Sequence, residues 1–374
     1  MADPTTGTVV GLVSADLDVT GALWECLAGI PAGLLVSANG RLWVLAPDDG
    51  SGAPGVAERG LGGAGPLCRT ATGVVAANPW QVWTFVDAAA GSAGGTGGRD
   101  ILLVPQAAAT VGSIGVCDIA ADDEGALMVV GRFDCLARLD RRHSFRPVWM
   151  PPWVTGFGHG DLDAVGGTSN LGGVALAPDG RVVVSAAGRS PEPNGWREGV
   201  VGGGVVVSSS GDVLATDLTL PRQVRADGDG YLVVESGTGR LLRLGTDGAV
   251  DVVIEVPAVL TGLDLQGRIA VVGWMAPGDG QAGLPVADGP ASRAPARWQG
   301  TGVAVVDIVD GTLVASARFL GKVDPVVDAV LVGGGRRVDV LAPRGDAANR
   351  TVVVGAVERL PDGGTVPATI GTAG

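Results

Sequence analysis

Four side chains in this sequence combine a reactive type with a telling position: Cys117, Asp118, Arg222 and Glu235. Each stands near the edge of a short apolar run, in "VCDIAADDEG", "PRQVRADGDG" and "YLVVESGTG". A carboxylate can move a proton, a thiol can do so or attack carbon, and a guanidinium can hold a developing oxyanion. Gathered in one cavity they suffice for proton transfer and oxyanion binding without a cofactor. Arg222 resists a purely structural reading, because a charge just inside a strand, after a proline, needs a buried partner or a ligand. The others have plainer readings: Asp118 can hold a strand end by hydrogen bonds, and a cysteine such as Cys117 is more often a small buried hydrophobe than a nucleophile. Asn170, Thr261 and Asp328 open further apolar runs in the same way, and they are read as ligand contacts.

Aromatic residues gather in three irregular stretches. "RRHSFRPVWMPPWVTGFGHGDLDAVGGTSN" is too long for a bare turn, and it is read as a lid carrying Trp149, Trp153 and Phe157. "GRSPEPNGWREG" adds Trp196, and "MAPGDGQAGLPVADGPASRAPARWQG" adds Trp298. In the alternative reading these tryptophans cap the ends of a packed core. His143 is read as a loop-fixing residue.

The elements that must position these groups are short strands. With 64 glycines, 23 prolines and abundant valine in 374 residues, the sequence favours strands and tight turns over helices, so the chain is expected to be all-β. Six strand pairs repeat along it, among them "GLLVSANG" with "RLWVLAPDD" and "YLVVESGTG" with "RLLRLGTDG". Before most pairs lies one more short strand closed by an Asp-Gly-like turn, as in "LGGVALAPDG". Such units at regular spacing predict a single six-bladed β-propeller over residues 33–343, with 1–32 an N-terminal extension and 344–374 a C-terminal strand or tail. The run "VVDAVLVGG" repeats the inner-strand pattern, whereas the pair near residue 33 lacks an inner strand, so one blade is expected to be built from both chain ends. "RRVDVLAP" with "TVVVGAVERL" leaves seven blades open, and a tandem of β-sandwiches is the alternative fold.

A formal net charge of -13 argues against nucleic acid and anionic membrane as partners, since polyanion binding needs clustered cations. A small-molecule ligand is the expected partner. Four cysteines without C-x-x-C spacing point away from a disulfide scaffold or a zinc module and towards a reduced, cytoplasmic setting. "MADPTTGTVV" lacks the charged and apolar regions of a secretion signal. No phosphate loop, dinucleotide fingerprint or G-x-S-x-G elbow is present in its required context. His143 and His159 are the only imidazoles and neither has a partner at ligand spacing, so no metal site is assigned.

The stretch "RFDCLARLDRRHSFRPVWMPPW", then "SNLGGVALAPDGRVVV", "LPRQVRADGDGYLVVESGTGRLLRL" and "GVAVVDIVDGTLVASARF", resembles a family of bacterial proteins of unknown function whose fold is expected to be a six-bladed propeller. The resemblance covers roughly residues 33–332 and is most specific at "HSFRPVWMPP". It implies histidines at inner-strand starts, where this chain has Cys117, Asn170 and Arg222 instead. More distantly, "LAPDGRVVV" and "VVESGTGRLLRL" are similar to lactonase and strictosidine-synthase-like propellers, some of which hold a divalent ion. That similarity keeps calcium or another divalent cation open as a cofactor, although Gly172-Gly173 stands where those propellers often show Asn-Gly.

Three function classes follow. The favoured one is an enzyme doing cofactor-independent acid/base chemistry, a cyclisation, condensation or isomerisation of a small metabolite. The others are a noncatalytic binding or scaffold propeller and a metal-assisted hydrolase of the lactonase type.

Overall fold

Valine-rich runs such as Val182–Ala186 and Gly204–Ser208 are buried along nearly their whole length, because each sheet is sandwiched between two others. In the computed structural model six such sheets of four or five strands surround a common axis, giving a six-bladed β-propeller. The structure describes residues 17–343 apart from 39, 49–52, 64, 89–99, 155–166, 279–286, 288, 322, 324 and 336. Antiparallel strands run outward within each blade. Blade five, for example, passes from Pro221–Asp227 at the axis through Gly230–Glu235 and Arg240–Leu244 to Val250–Glu255. The other inner strands are Leu67–Arg69 in blade two, Val116–Asp122 in blade three, Leu171–Leu176 in blade four and Val259–Gln266 in blade six.

Blade one closes the ring as expected. Its innermost strand, Val326–Gly333, pairs with Ala32–Ala38, placing Leu35 opposite Val330 and Ala32 opposite Gly333. Two segments ahead of residue 33 also join the propeller. Leu17–Gly21 is the outermost strand of blade six, and the short helix Leu23–Gly29 buries Leu23 and Leu27 beside it. The strand in "RRVDVLAP", Arg337–Val340, does not begin a seventh blade; it runs parallel to Asp100–Thr110 at the outer edge of blade two. "TVVVGAVERL" lies outside the described residues.

Apolar packing divides into wedges, one between each neighbouring pair of blades, rather than one central core. The axis is left to the inner strands, whose free edges face the channel with backbone groups that need partners. These strands also approach one another closely. A Cβ at Gly173 would lie 2.6 Å from Gln223 Cα, and one at Gly172 would lie 3.0 Å from Arg222 Cα. Contact of blades four and five at the axis therefore requires glycine at both positions, which accounts for the Gly-Gly pair.

A candidate ligand site at the channel mouth

Five of the six inner strands carry a β-bulge within their first few residues. Cys117 is skipped between Val116 and Asp118, Gly172 between Leu171 and Gly173, and Val327 between Val326 and Asp328. Arg222 and Gln223 together face one residue of the next strand, as do Thr261 and Gly262. A bulge re-aims side chains at the start of a strand; even so, Cys117 still packs against the wedge between blades three and four, and the Thr261 hydroxyl lies towards Gly273 and Val326. Cys117, Arg222, Thr261 and Val327 are set at one level around the end of the channel where the inner strands begin.

Just below, polar side chains staple alternate seams of the ring. Asp328 of blade one accepts the N–H of Leu67 in blade two at 2.8 Å, and Asp118 of blade three accepts the N–H of Val174 in blade four at 2.9 Å. Gln223 of blade five does the same for Leu263 of blade six. Each aspartate also accepts its following N–H, from Ala329 at 2.8 Å and from Ile119 at 2.9 Å. Asp118 is further held by both terminal nitrogens of Arg225, which crosses from blade five to make contacts of 2.8 and 3.0 Å. Burial opposes the Arg225 charge, yet Asp118 outweighs it and holds the guanidinium above its ordinary value.

The sequence-predicted groups therefore separate. Asp118 is wholly buried and engaged with Arg225. Glu235 does lie beside the start of its blade's inner strand, opposite Pro221, but it accepts the Thr219 N–H at 2.7 Å and the Thr238 hydroxyl at 2.5 Å. It fastens the connection that leads into blade five. Burial raises the Cys117 thiol, with nearby Arg222 offsetting part of that. Burial likewise pulls the Arg222 guanidinium below its ordinary value, and Cys117 is the group that acts against this. Asn170 has left-handed backbone torsions (φ 49°) and its carbonyl accepts the Ala187 N–H. The Thr261 hydroxyl is buried without a hydrogen-bond partner among the described residues.

Sequence reasoning missed Arg225, Arg69, Asp264 and Gln223, which with Asp118 and Asp328 form the waist of the channel. Arg69 reaches Asp264 at 3.1 Å and the Leu265 carbonyl at 2.6 Å, while Asp264 accepts the Leu331 N–H at 2.8 Å. Beyond the waist lies a cavity of about 250 Å³ lined by residues of all six inner strands, including Arg69, Arg225, Asp264 and Val330. The missed signal is the polar character of "PRQVRAD". Strict alternation sets Arg222 and Arg225 on opposite faces, whereas the bulge between them lets each serve the axis. Among the described residues no group of three or more His, Cys, Asp or Glu is placed to hold a metal ion.

Three carboxylates and two guanidinium groups meet at the waist. Burial drives the Asp328 carboxyl up to about 7, with Arg225 opposing and Asp118 reinforcing the rise. Because the folded chain keeps a proton that the unfolded chain releases near pH 4, the contribution of Asp328 to stability is fully present at low pH and is lost as pH rises towards 7. The expected slope in urea unfolding is up to about 1.4 kcal/mol per pH unit between roughly pH 4.5 and 7. Asp134, also raised by burial, contributes in the same direction. Asp328→Asn isolates the effect of Asp328: its slope must be shallower than that of the parent, and an unchanged slope excludes the assignment.

The proposed lid resolves differently. Arg146–Trp149 is the outermost strand of blade three, and the Trp149 indole donates to the Ser209 carbonyl at 2.9 Å, at the periphery between blades three and four. Trp196 is buried with Ala187, Val200 and Leu220, and Trp298 packs edge-on against Trp274 at 4.9 Å. These three serve packing of the blades and their connections. Trp153 donates to Ser169 Oγ at 2.8 Å, next to Asn170 and the start of the blade-four inner strand. Phe157 and His159 fall outside the described residues. His143 is exposed, with Nδ1 2.9 Å from Asp140, in keeping with a loop-fixing role.

No curated protein sequence matches this chain. Solved structures similar to it include one of a nidogen/laminin complex, at 12% identity, covering 81% of this chain and 99% of that one with a TM-score of 0.47. Regucalcin from Agrobacterium tumefaciens strain C58, described as a calcium-binding protein, is 15% identical, with 69% and 76% covered and a TM-score of 0.40. Virginiamycin B lyase from Staphylococcus aureus is 12% identical, with 82% and 98% covered and a TM-score of 0.36. At such identities the likeness concerns the fold alone. Residues 22–341, the propeller with its closing strands, match the model of the domain of unknown function DUF4915, and the chain belongs to that family.

Proposed function

We propose that this propeller recognises a small molecule at the channel end where its inner strands begin. The carrying observation is the set of β-bulges that brings Cys117, Arg222, Thr261 and Val327 to one level around the axis while leaving Arg222 without a hydrogen bond or ion pair of its side chain among the described residues. Ligand sites favour the mouths of closed sheets of this kind. Recognition is better supported than acid/base catalysis because the carboxylates expected to move protons, Asp118 and Glu235, are saturated by Arg225, Thr219 and Thr238. A second reading, an enzyme of the cyclase or isomerase type, draws on Asp328, which burial drives up to about 7, but both of its oxygens accept backbone N–H groups, from Leu67 and Ala329.

Val327 offers the test, being a partly exposed bulged residue of blade one. A panel of neutral, cationic and anionic small metabolites should include members that raise the melting temperature of the parent chain. Val327→Trp should abolish those shifts while melting within a few degrees of the parent. Shifts that persist in Val327→Trp, or a panel with no effect on the parent, count against a site at this mouth.

A further inference from the structure

We infer that the ligand of this mouth carries a carboxylate that docks on Arg222, an inference that rests on reading the mouth as a ligand site. The other arginines at the axis have carboxylate partners: Arg225 has Asp118 and Arg69 has Asp264. Half-buried arginines further out do too, as with Arg138 on Asp122 and Arg59 on Asp339. Arg222 alone among the axial arginines has none among the described residues, and the group acting on it electrostatically is the Cys117 thiol, which burial keeps protonated. A partly buried guanidinium without a counter-charge is costly, and a bound anion lowers that cost.

The surroundings fit a small planar anion. Arg222 belongs to blade five, with its Cα packed against Gly172 of blade four, and its electrostatic neighbour Cys117 belongs to blade three. In blade six the buried Thr261 hydroxyl, which lies towards Gly273 of its own blade and Val326 of blade one, has no hydrogen-bond partner among the described residues. A carboxylate matches the two-pronged guanidinium in shape and its single positive charge in magnitude. A phosphate monoester carries close to two negative charges at neutral pH. Directly below the mouth the cations Arg69 and Arg225 are already paired with Asp264 and Asp118, so a second negative charge finds no free cation there.

The experiment titrates the full-length chain, in low-chloride buffer, with acetate, pyruvate and benzoate, with acetamide and benzamide as neutral counterparts, and with inorganic phosphate. Carboxylates should bind the parent at least about tenfold more tightly than the matching amides, the discrimination expected when a hydrogen bond to a charged group is lost. Arg222→Met and Arg222→Gln should each erase that preference while Arg222→Lys keeps part of it. Equal binding of acid and amide by the parent overturns the inference without recourse to any variant. So does carboxylate binding that survives Arg222→Met, or phosphate binding tighter than every carboxylate. Neutral probes that bind in a manner sensitive to Val327→Trp would leave the mouth as a ligand site and reject only the carboxylate; no such binding by any probe rejects both.

Discussion

Replacing Arg225 with methionine should cost roughly 3–5 kcal/mol of folding stability, the range for removing one partner of a buried ion pair. Asp118 is the reason. It is fully buried, its two oxygens already take the N–H groups of Ile119 and Val174, and among the described residues Arg225 supplies the only guanidinium that pairs with it. Without that cation the carboxylate must either stay charged in the interior or take up a proton and weaken its hold on the seam between blades three and four. Urea unfolding at neutral pH reads the loss directly. Adding Asp118→Asn to Arg225→Met should recover part of it, since a neutral amide needs no counter-charge. The same change at Arg222 should leave the midpoint unchanged or higher, because no carboxylate loses a partner there. An Arg225→Met chain within about 1 kcal/mol of the parent would show that the pair contributes little more than an exposed one.

Removing residues 320–374 should abolish folding altogether. The deletion takes out Val326–Gly333, which supplies the inner edge of blade one, packs Ala329 and Leu331 against blade six and Val330 and Val332 against blade two, and carries the Asp328 staple to Leu67. Ala32–Ala38 would then present an unpaired, wholly buried strand to solvent, an invitation to edge-to-edge association. The truncated chain is expected in inclusion bodies, or, if soluble, without a cooperative melting transition. A monomeric truncation that melts cooperatively would show instead that the remaining blades stand without ring closure.

How much of this was readable beforehand differs sharply between blade and axis. Within a blade, pairing partners are neighbours in sequence and both faces are buried, so valine runs punctuated by glycine turns carry the information locally. That is why "YLVVESGTG" and "RLLRLGTDG" could be paired on sight, and why a missing inner strand near residue 33 could be matched to "VVDAVLVGG". His143 could be read blandly for the same reason, since its partner Asp140 lies three residues away.

The axis obeys no such local rule. Asp118 and Arg225 are 107 residues apart, Asp328 and Leu67 are 261 apart, and each meeting follows from the order of blades around the ring rather than from any spacing along the chain. The bulges matter as much: one extra residue in Pro221–Asp227 leaves Arg222 without a side-chain partner among the described residues and gives Arg225 to Asp118, a division of roles that strict alternation of side chains cannot express. Tryptophans mislead for a related reason. Trp149 and Trp298 carry the same chemical cue as a lid over a pocket, and only the surfaces brought against them by closure, Ser209 for one and Trp274 for the other, make them packing residues instead. By itself, then, the sequence determined the all-β class, the strand pairs, the way the ring closes and the reactive residues at the inner-strand starts. Which of those residues are paired and which stand free was decided by tertiary structure, because charge compensation at the channel is settled between strands that only the closed propeller brings together.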